Sequence, residues 1–432
     1  MKKIIWSFAT VTAIIAAASC EKETVVEVEK EVIVVDTVTT ETEVEVETSI
    51  TVSEDIITDV TWTADKIVTL DGRVFVTEGA TLTIEPGTII KANAGSGVNA
   101  SVLIVTRGSK IEALGTAAAP IIFTSAADNI VIGQTSGTNL DQNDRGLWGG
   151  LILLGNAPAS FDGDAVSAQI EGVPTDTDGD KGLYGGTDAA DDSGTLQYIS
   201  IRHGGALIGE GNEINGLTLG AVGTGTTIDN IEVVGNVDDG VEFFGGSVNA
   251  TNLFVWAQGD DGLDIDQAYS GTIDNAVVVQ GGISDHALEI DGPEGSLQGA
   301  YTLTNATLIG LAENIAGGEI ADFRSNAQGT NNNILVTGFT GVGTDLVLSD
   351  VELDNEGVAA NYTAGTLVLT NWEIVLPTGV TNSSDVFNDT TDSTTFEADA
   401  ATFSSAVTEA TVGADTSAFS WTYSNAKASL GF

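Results

Sequence analysis

The sequence predicts an all-β chain wound as a single-stranded parallel β-helix, and three observations carry that prediction. Between Thr227 and Asp291 one pattern occurs three times, as TIDNIEVVGNVDDGVEFFGG, NATNLFVWAQGDDGLDIDQA and TIDNAVVVQGGISDHALEID, with Asn230, Asn252 and Asn275 at the same place in each. Steps of 22 and 23 residues are too short for a domain and suit one coil of a solenoid. Within each coil the residues alternate as in strands. Ile231 and Val233, Leu253 and Val255, and Ala276 and Val278 face one way, with Glu232, Phe254 and Val277 facing the other. The composition agrees: 52 Gly with many Val, Ile, Thr and Asn indicate short strands joined by tight turns.

In chain order, residues 1–19 come first, with Lys2, Lys3 and an apolar run from Ile4 to Ala18, and read as an export signal. The chain's one cysteine, Cys20, follows Ala17, Ala18 and Ser19, which resembles a bacterial lipobox and implies a lipidated first residue. Residues 20–59 form an acidic spacer rich in Glu, Thr and Val, which charge repulsion extends. No later apolar stretch has the length to span a bilayer, so the membrane is expected to be met through the lipid alone.

Residues 60–348 read as the β-helix. Its early coils carry TLTIEPGT (81–88), IEALGT (111–116), IIFTS (121–125) and RGLWGGLILLGNAP (145–158). Residues 159–194, with DTDGD and DAADD, are polar and Gly-rich and read as a long surface loop. From 349 to 432 the period loosens into an irregular C-terminal β/cap region that closes the open end of the coil.

The quoted motifs, with YGGTDAADDSGTLQYISIRHGG (184–205) and the closing FSWTYSNA (419–426), resemble a Bacteroidetes-type surface lipoprotein family with a right-handed, pectin-lyase-like β-helix. That resemblance implies the fold, with right-handed coils. The acidic start Glu21, Lys22, Glu23 is similar to the tag that sends such lipoproteins to the outer face of the outer membrane, so the body is expected to face the cell exterior.

Function is read from charge. Fourteen Lys and Arg against 62 Asp and Glu give a formal charge of −48, which excludes a phosphate backbone, and hence nucleic acid, as a partner. Stacking the coils about 4.8 Å apart sets Glu242, Asp264 and Glu289 in one outward column and Asp266 and Asp291 in its neighbour, with the turn residues Asp239 and Asp261 along the edge. Two like charges about 5 Å apart repel by roughly 3 kcal/mol at an effective dielectric near 20, so such columns call for protons, basic groups or cations. All-oxygen ligand sets suit Ca2+, and these seven residues are the expected metal ligands.

The expected function is a calcium-stabilised binding or adhesive surface for glycans, with Phe254 and Trp256 as outward rings on which sugars stack. The alternative is a polysaccharide lyase or glycoside hydrolase on the same scaffold. Asp264, Asp266 and Arg324 are then its candidates, because Asp322 and Arg324 fall one coil beyond Glu289 and Asp291. An arginine among carboxylates is more often a salt-bridge partner than a base. His203 and His286 show no metal spacing or triad and read as structural.

Overall fold

The computed structural model describes residues 48–173, 180–207, 214–311, 319–339 and 351–431. Cys20 and the export signal lie outside them, as do the spacer up to residue 47 and residues 176–179 of the DTDGD segment.

Alternation along each strand turns apolar side chains inward, and parallel pairing repeats that choice from coil to coil. Ile231, Leu253, Ala276, Ala306, Ile334 and Trp372 are register partners along one wall, each at most 1% exposed. Phe243, Ile265, Ile290, Phe323 and Leu353 do the same on a facing wall. The first wall runs from Ser49–Val52 to Ser404–Ala406, and the second from Arg73–Val76 to Phe387–Asp389, every pairing between coils being parallel. The architecture is the right-handed parallel β-helix that the sequence predicts.

The recurring asparagine proves to be a corner. In the strand Gly194–Arg202, residues 194–197 pair with Ile111–Leu114 and residues 199–201 with Ile121–Phe123, so two short strands of the early coils merge into one. Between the halves Tyr198 has φ 52°, and the next coils set Asn230, Asn252, Asn275, Asn305, Asn333 and Asn371 there, with φ between 56° and 64°. Asparagine tolerates this left-handed conformation better than most residues. Its amides also stack: Asn275 Nδ2 donates to Asn252 Oδ1 at 2.6 Å, Asn333 to Asn305 at 3.0 Å and Asn371 to Asn333 at 2.6 Å.

Two expected boundaries move. The helix begins before residue 60, since Ser49–Val52 pairs with Ile67–Leu70 and Ile56 bridges Val76. The end of the spacer alternates like a strand and finds its partner one turn downstream. The ladders also pass residue 348, through Val351–Leu353, Leu367–Ile374, Phe387–Asp389 and Ser404–Ala406. The period loosens there because helix Glu356–Ala364, capped by Asn355 and by Gly365 at φ 72°, lengthens the coil so that Asn371 stands 38 residues after Asn333.

The loop expected over residues 159–194 is less polar in place than in composition. Its hairpin Ala168–Gln169/Leu183–Tyr184 brings Tyr184 between Phe161 and Phe244, with the phenol donating to Gln267 Oε1 at 2.7 Å. This clamps the loop to the second wall. At the far end Trp372, Phe396 and Phe403 pack edge to face against Phe387 and close the core, as a cap must.

The final segment then runs back along the outside of the first wall. Thr411 N–H bonds Glu373, Ala414 N–H bonds Thr307 Oγ1, Asp415 N–H bonds Asn275 Oδ1 and Ser424 N–H bonds Glu232. This strap corrects the glycan-stacking expectation. Phe254 and Trp256 do point away from the core, but Phe254 is fully buried with its ring 5.4 Å from Phe419, and Trp256 lies against Tyr423 at 6.5 Å. Neither ring is open to a sugar.

Candidate functional site

On the outer side of the second wall the register sets five carboxylates in a row. Thr218, Glu242, Asp264, Glu289, Asp322, Glu352 and Asn388 are successive partners. Asp322 extends the expected trio, as its place one coil beyond Glu289 suggests, and Glu352 extends it again. Glu352 escaped notice because its coil has lost the 22-residue rhythm, although its Val-Glu-Leu repeats the apolar-acid-apolar alternation of Leu-Asp-Ile. Phe244 and Asp266 are partners in the neighbouring column.

The turn residues Asp239 and Asp261 fold back against this row. Asp239 accepts from the Asp261 N–H at 3.0 Å, and Asp261 accepts from both N–H and Nδ1 of His286 at 2.8 Å. The outcome is a buried acidic centre: Asp239, Glu242, Asp261, Asp264 and Glu289 are each no more than 9% exposed, with Asp266 and Asp291 half-buried. Glu242, Asp264, Asp266, Glu289 and Asp291, with Arg324 and with Glu171 and Glu294 from flanking loops, line a cleft of about 560 Å³. Asp239 and Asp261, buried in the turns, do not line it. All seven expected ligands are thus brought into one neighbourhood.

Burial and mutual repulsion act together on the protons. Burial first, then the neighbouring carboxylates, hold Asp239, Glu242 and Asp264 well above the ordinary carboxylate range. The same causes push Asp266 up to about 7; Asp322, where burial again leads, also reaches about 7. Neutral donors are few. Asn215 Nδ2 donates to Glu242 Oε2, and a buried Asp264 Oδ1 has no hydrogen-bond partner. An unpaired oxygen among carboxylates fits a cation better than a water-filled surface does.

Two cations of the chain's own stand further along. Arg324 contacts Glu289 through Nη2, Asp291 through Nε at 2.8 Å and Asp322 through Nη1 at 4.0 Å, so it is a salt-bridge partner, as its surroundings suggest. His286, expected to be structural because its neighbours along the chain make no metal spacing or triad, instead meets carboxylates across coils. Nδ1 lies 2.8 Å from Asp261 and 3.3 Å from Glu289, and Nε2 lies 3.4 Å from Glu319. Burial pulls its pKa down, but hydrogen bonds to Asp261 and Glu319 and the charges of Asp261 and Asp285 outweigh it and push it up to about 11. His286 is therefore an imidazolium at neutral pH. The Nδ1–H of His203 donates to the Asp144 carbonyl, 2.7 Å away, in the structural role expected of it.

Ligand atoms of Asp239, Glu242 and Asp264 lie within 4.8 Å of one another, as do those of Asp264, Glu289 and Asp291. Such all-carboxylate groups match a hard divalent ion such as Ca2+. The family model described as a pectate-lyase like beta helix domain matches residues 54–425. No curated protein and no solved structure matches the chain.

Proposed function

The chain belongs to the pectate-lyase-like β-helix family, and on that scaffold we propose that it is a cell-envelope lipoprotein whose acidic cleft binds calcium and, through it, glycans. The observation that carries the reading is Asp264, buried between Glu242 and Glu289 with one oxygen unpaired. Without a cation this centre must hold protons against their usual affinity; a divalent ion removes that cost. Asp239, Glu242 and Asp264 would hold the ion, and sugar hydroxyls or carboxylates entering the cleft would complete its oxygen shell. Anchoring through Cys20, with the body at the outer face of the outer membrane, is part of the same proposal and rests on the lipobox-like Ala17-Ala18-Ser19-Cys20 and the acidic residues after it.

The test is thermal unfolding of the chain from residue 20 onward in excess calcium and in chelator, followed by glycan-array binding in the same two buffers. Calcium is expected to raise the melting temperature and to be required for retention on the array. Identical melting in both buffers would sink the cation site, and retention indifferent to chelator would sink its link to glycans.

A polysaccharide lyase or hydrolase is the second reading, favoured by one observation. Asp266, whose pKa burial and the Asp291 charge push up to about 7, opens into the same cleft as Asp264 and Arg324, where it could pass a proton to a leaving oxygen. Arg324, tied to Glu289 and Asp291, serves poorly as a base. Turnover of polyuronate or neutral polysaccharide that disappears in Asp266→Asn would favour this reading; no turnover by the parent would remove it.

A further inference from the structure

We propose that the cleft takes two divalent cations that share Asp264, and that Arg324 is the resident counter-ion of the outer position. This rests on the cation-binding reading above and deepens it. Asp264 belongs both to the group with Asp239 and Glu242 and to the group with Glu289 and Asp291. A carboxylate offers two oxygens and about four lone-pair directions, so one side chain can serve both ions. Its unpartnered, buried Oδ1 leaves that capacity unspent.

The two positions differ in what already balances them. At the inner group the donors are neutral: Asn215 Nδ2 to Glu242, and the Asp261 N–H to Asp239. Among the described residues no Lys, Arg or His forms an ion pair with Asp239, Glu242 or Asp264. At the outer group Arg324 contacts Glu289 and holds Asp291 at 2.8 Å. A guanidinium does not make room by losing its proton, so it must move. It is free to do so, because its side chain is 38% exposed on the cleft wall. The inner ion meets uncompensated carboxylates and binds first. The outer ion competes with Arg324 and binds second, more weakly.

Calcium would be titrated calorimetrically into the full mature chain, with native mass spectrometry counting bound ions, for the parent, Arg324→Gln, Arg324→Lys and Asp291→Asn. Far-UV circular dichroism checks that each variant folds. The parent is expected to bind one calcium tightly and a second weakly, and Arg324→Gln to strengthen the second by roughly tenfold or more while leaving the first unchanged. Arg324→Lys, which keeps the charge, should leave the second weak, and Asp291→Asn should lose the second only. One calcium in both the parent and Arg324→Gln would overturn the two-ion arrangement yet leave the proposed function standing. No calcium in any of them would overturn both, and a second ion indifferent to Arg324→Gln would overturn the counter-ion assignment.

Discussion

Glu232 and Ser424 are 192 residues apart in the chain and meet on the outside of the first wall, where both the N–H and the hydroxyl of Ser424 donate to Glu232 Oε1 at 2.7 Å. The Tyr423 N–H and the Ser200 hydroxyl share the other oxygen. Beside them Arg202, fully buried, lies 4.4 Å from the centre of the Tyr423 ring, with Nη2 3.9 Å from Glu232. The latch closes a strap that crosses several coils, so the two faces of the solenoid do different work. The first wall is covered and tied down, and the second is left with an acidic cleft.

Removing Glu232 leaves Arg202 buried without its carboxylate and four donors without their acceptor. Glu232→Ala is expected to cost about 3–5 kcal/mol, the cost of breaking a buried pair from one side. Denaturant unfolding measures it, and limited proteolysis should then cut within residues 407–431 first. A loss below about 1 kcal/mol would show that the strap is only an ornament on the wall.

The asparagine corners make a second prediction. Asn333 sits at φ 57°, donates to Asn305 and accepts from Asn371. Asn333→Ala adds about 1–2 kcal/mol of left-handed strain to the lost bonds, each worth about 1 kcal/mol. Asn333→Gly loses the bonds without that strain and should fall between the parent and the alanine variant. Urea unfolding that ranks glycine below alanine would show that the backbone conformation is not what selects asparagine.

Stability should fall as pH rises in the absence of divalent ions. A carboxyl whose folded pKa is raised keeps its proton after the unfolded chain has lost it, so stability drains away between the unfolded value of 3.8 and the folded one, about 7 for Asp266 and Asp322. His286 adds the same sign: its contribution is complete below 6.5 and lost as pH climbs towards about 11. The depressed carboxyls Asp229 and Asp389 act oppositely only as pH falls below 3.8, while His203, which burial holds below its usual 6.5, acts oppositely as pH approaches 6.5 and offsets part of the decrease. Melting temperature in chelator is therefore expected to decrease from pH 5 to pH 8, and calcium to flatten the decrease. A melting temperature that rises over this interval in chelator would contradict the protonated centre.

Much of this was legible because a solenoid writes its contacts locally. With one coil per 22 to 25 residues, the repeat and its alternation together place Glu242, Asp264 and Glu289 in register. The same regularity hid other things. That Asn230, Asn252 and Asn275 mark a corner depends on backbone dihedrals, which alternation does not encode. Phe254 was placed on the correct side of its strand, yet the cover that buries it comes from Phe419, 165 residues later and outside the repeat. His286 reaches Asp261 across coils, not along the chain, so a search for ligands at short spacings passes it by.

Asp264→Asn separates a metal ligand from a structural carboxyl. Asparagine keeps the shape, removes one member of the repelling column and gives Glu242 and Glu289 an amide to accept from. At pH 8 in chelator the variant is expected to match the parent or exceed it by about 1–3 kcal/mol, since it relieves a like-charge contact worth roughly that much. In calcium the order should reverse. An ion that binds only the folded parent adds about 2.7 kcal/mol at 100 times its dissociation constant, and a variant with a poorer ligand set loses most of that gain. Differential scanning calorimetry of both proteins in both buffers gives the four numbers needed. If Asp264→Asn lowers stability equally with calcium and with chelator, Asp264 supports the wall and binds no ion, and the site must be sought elsewhere in the column.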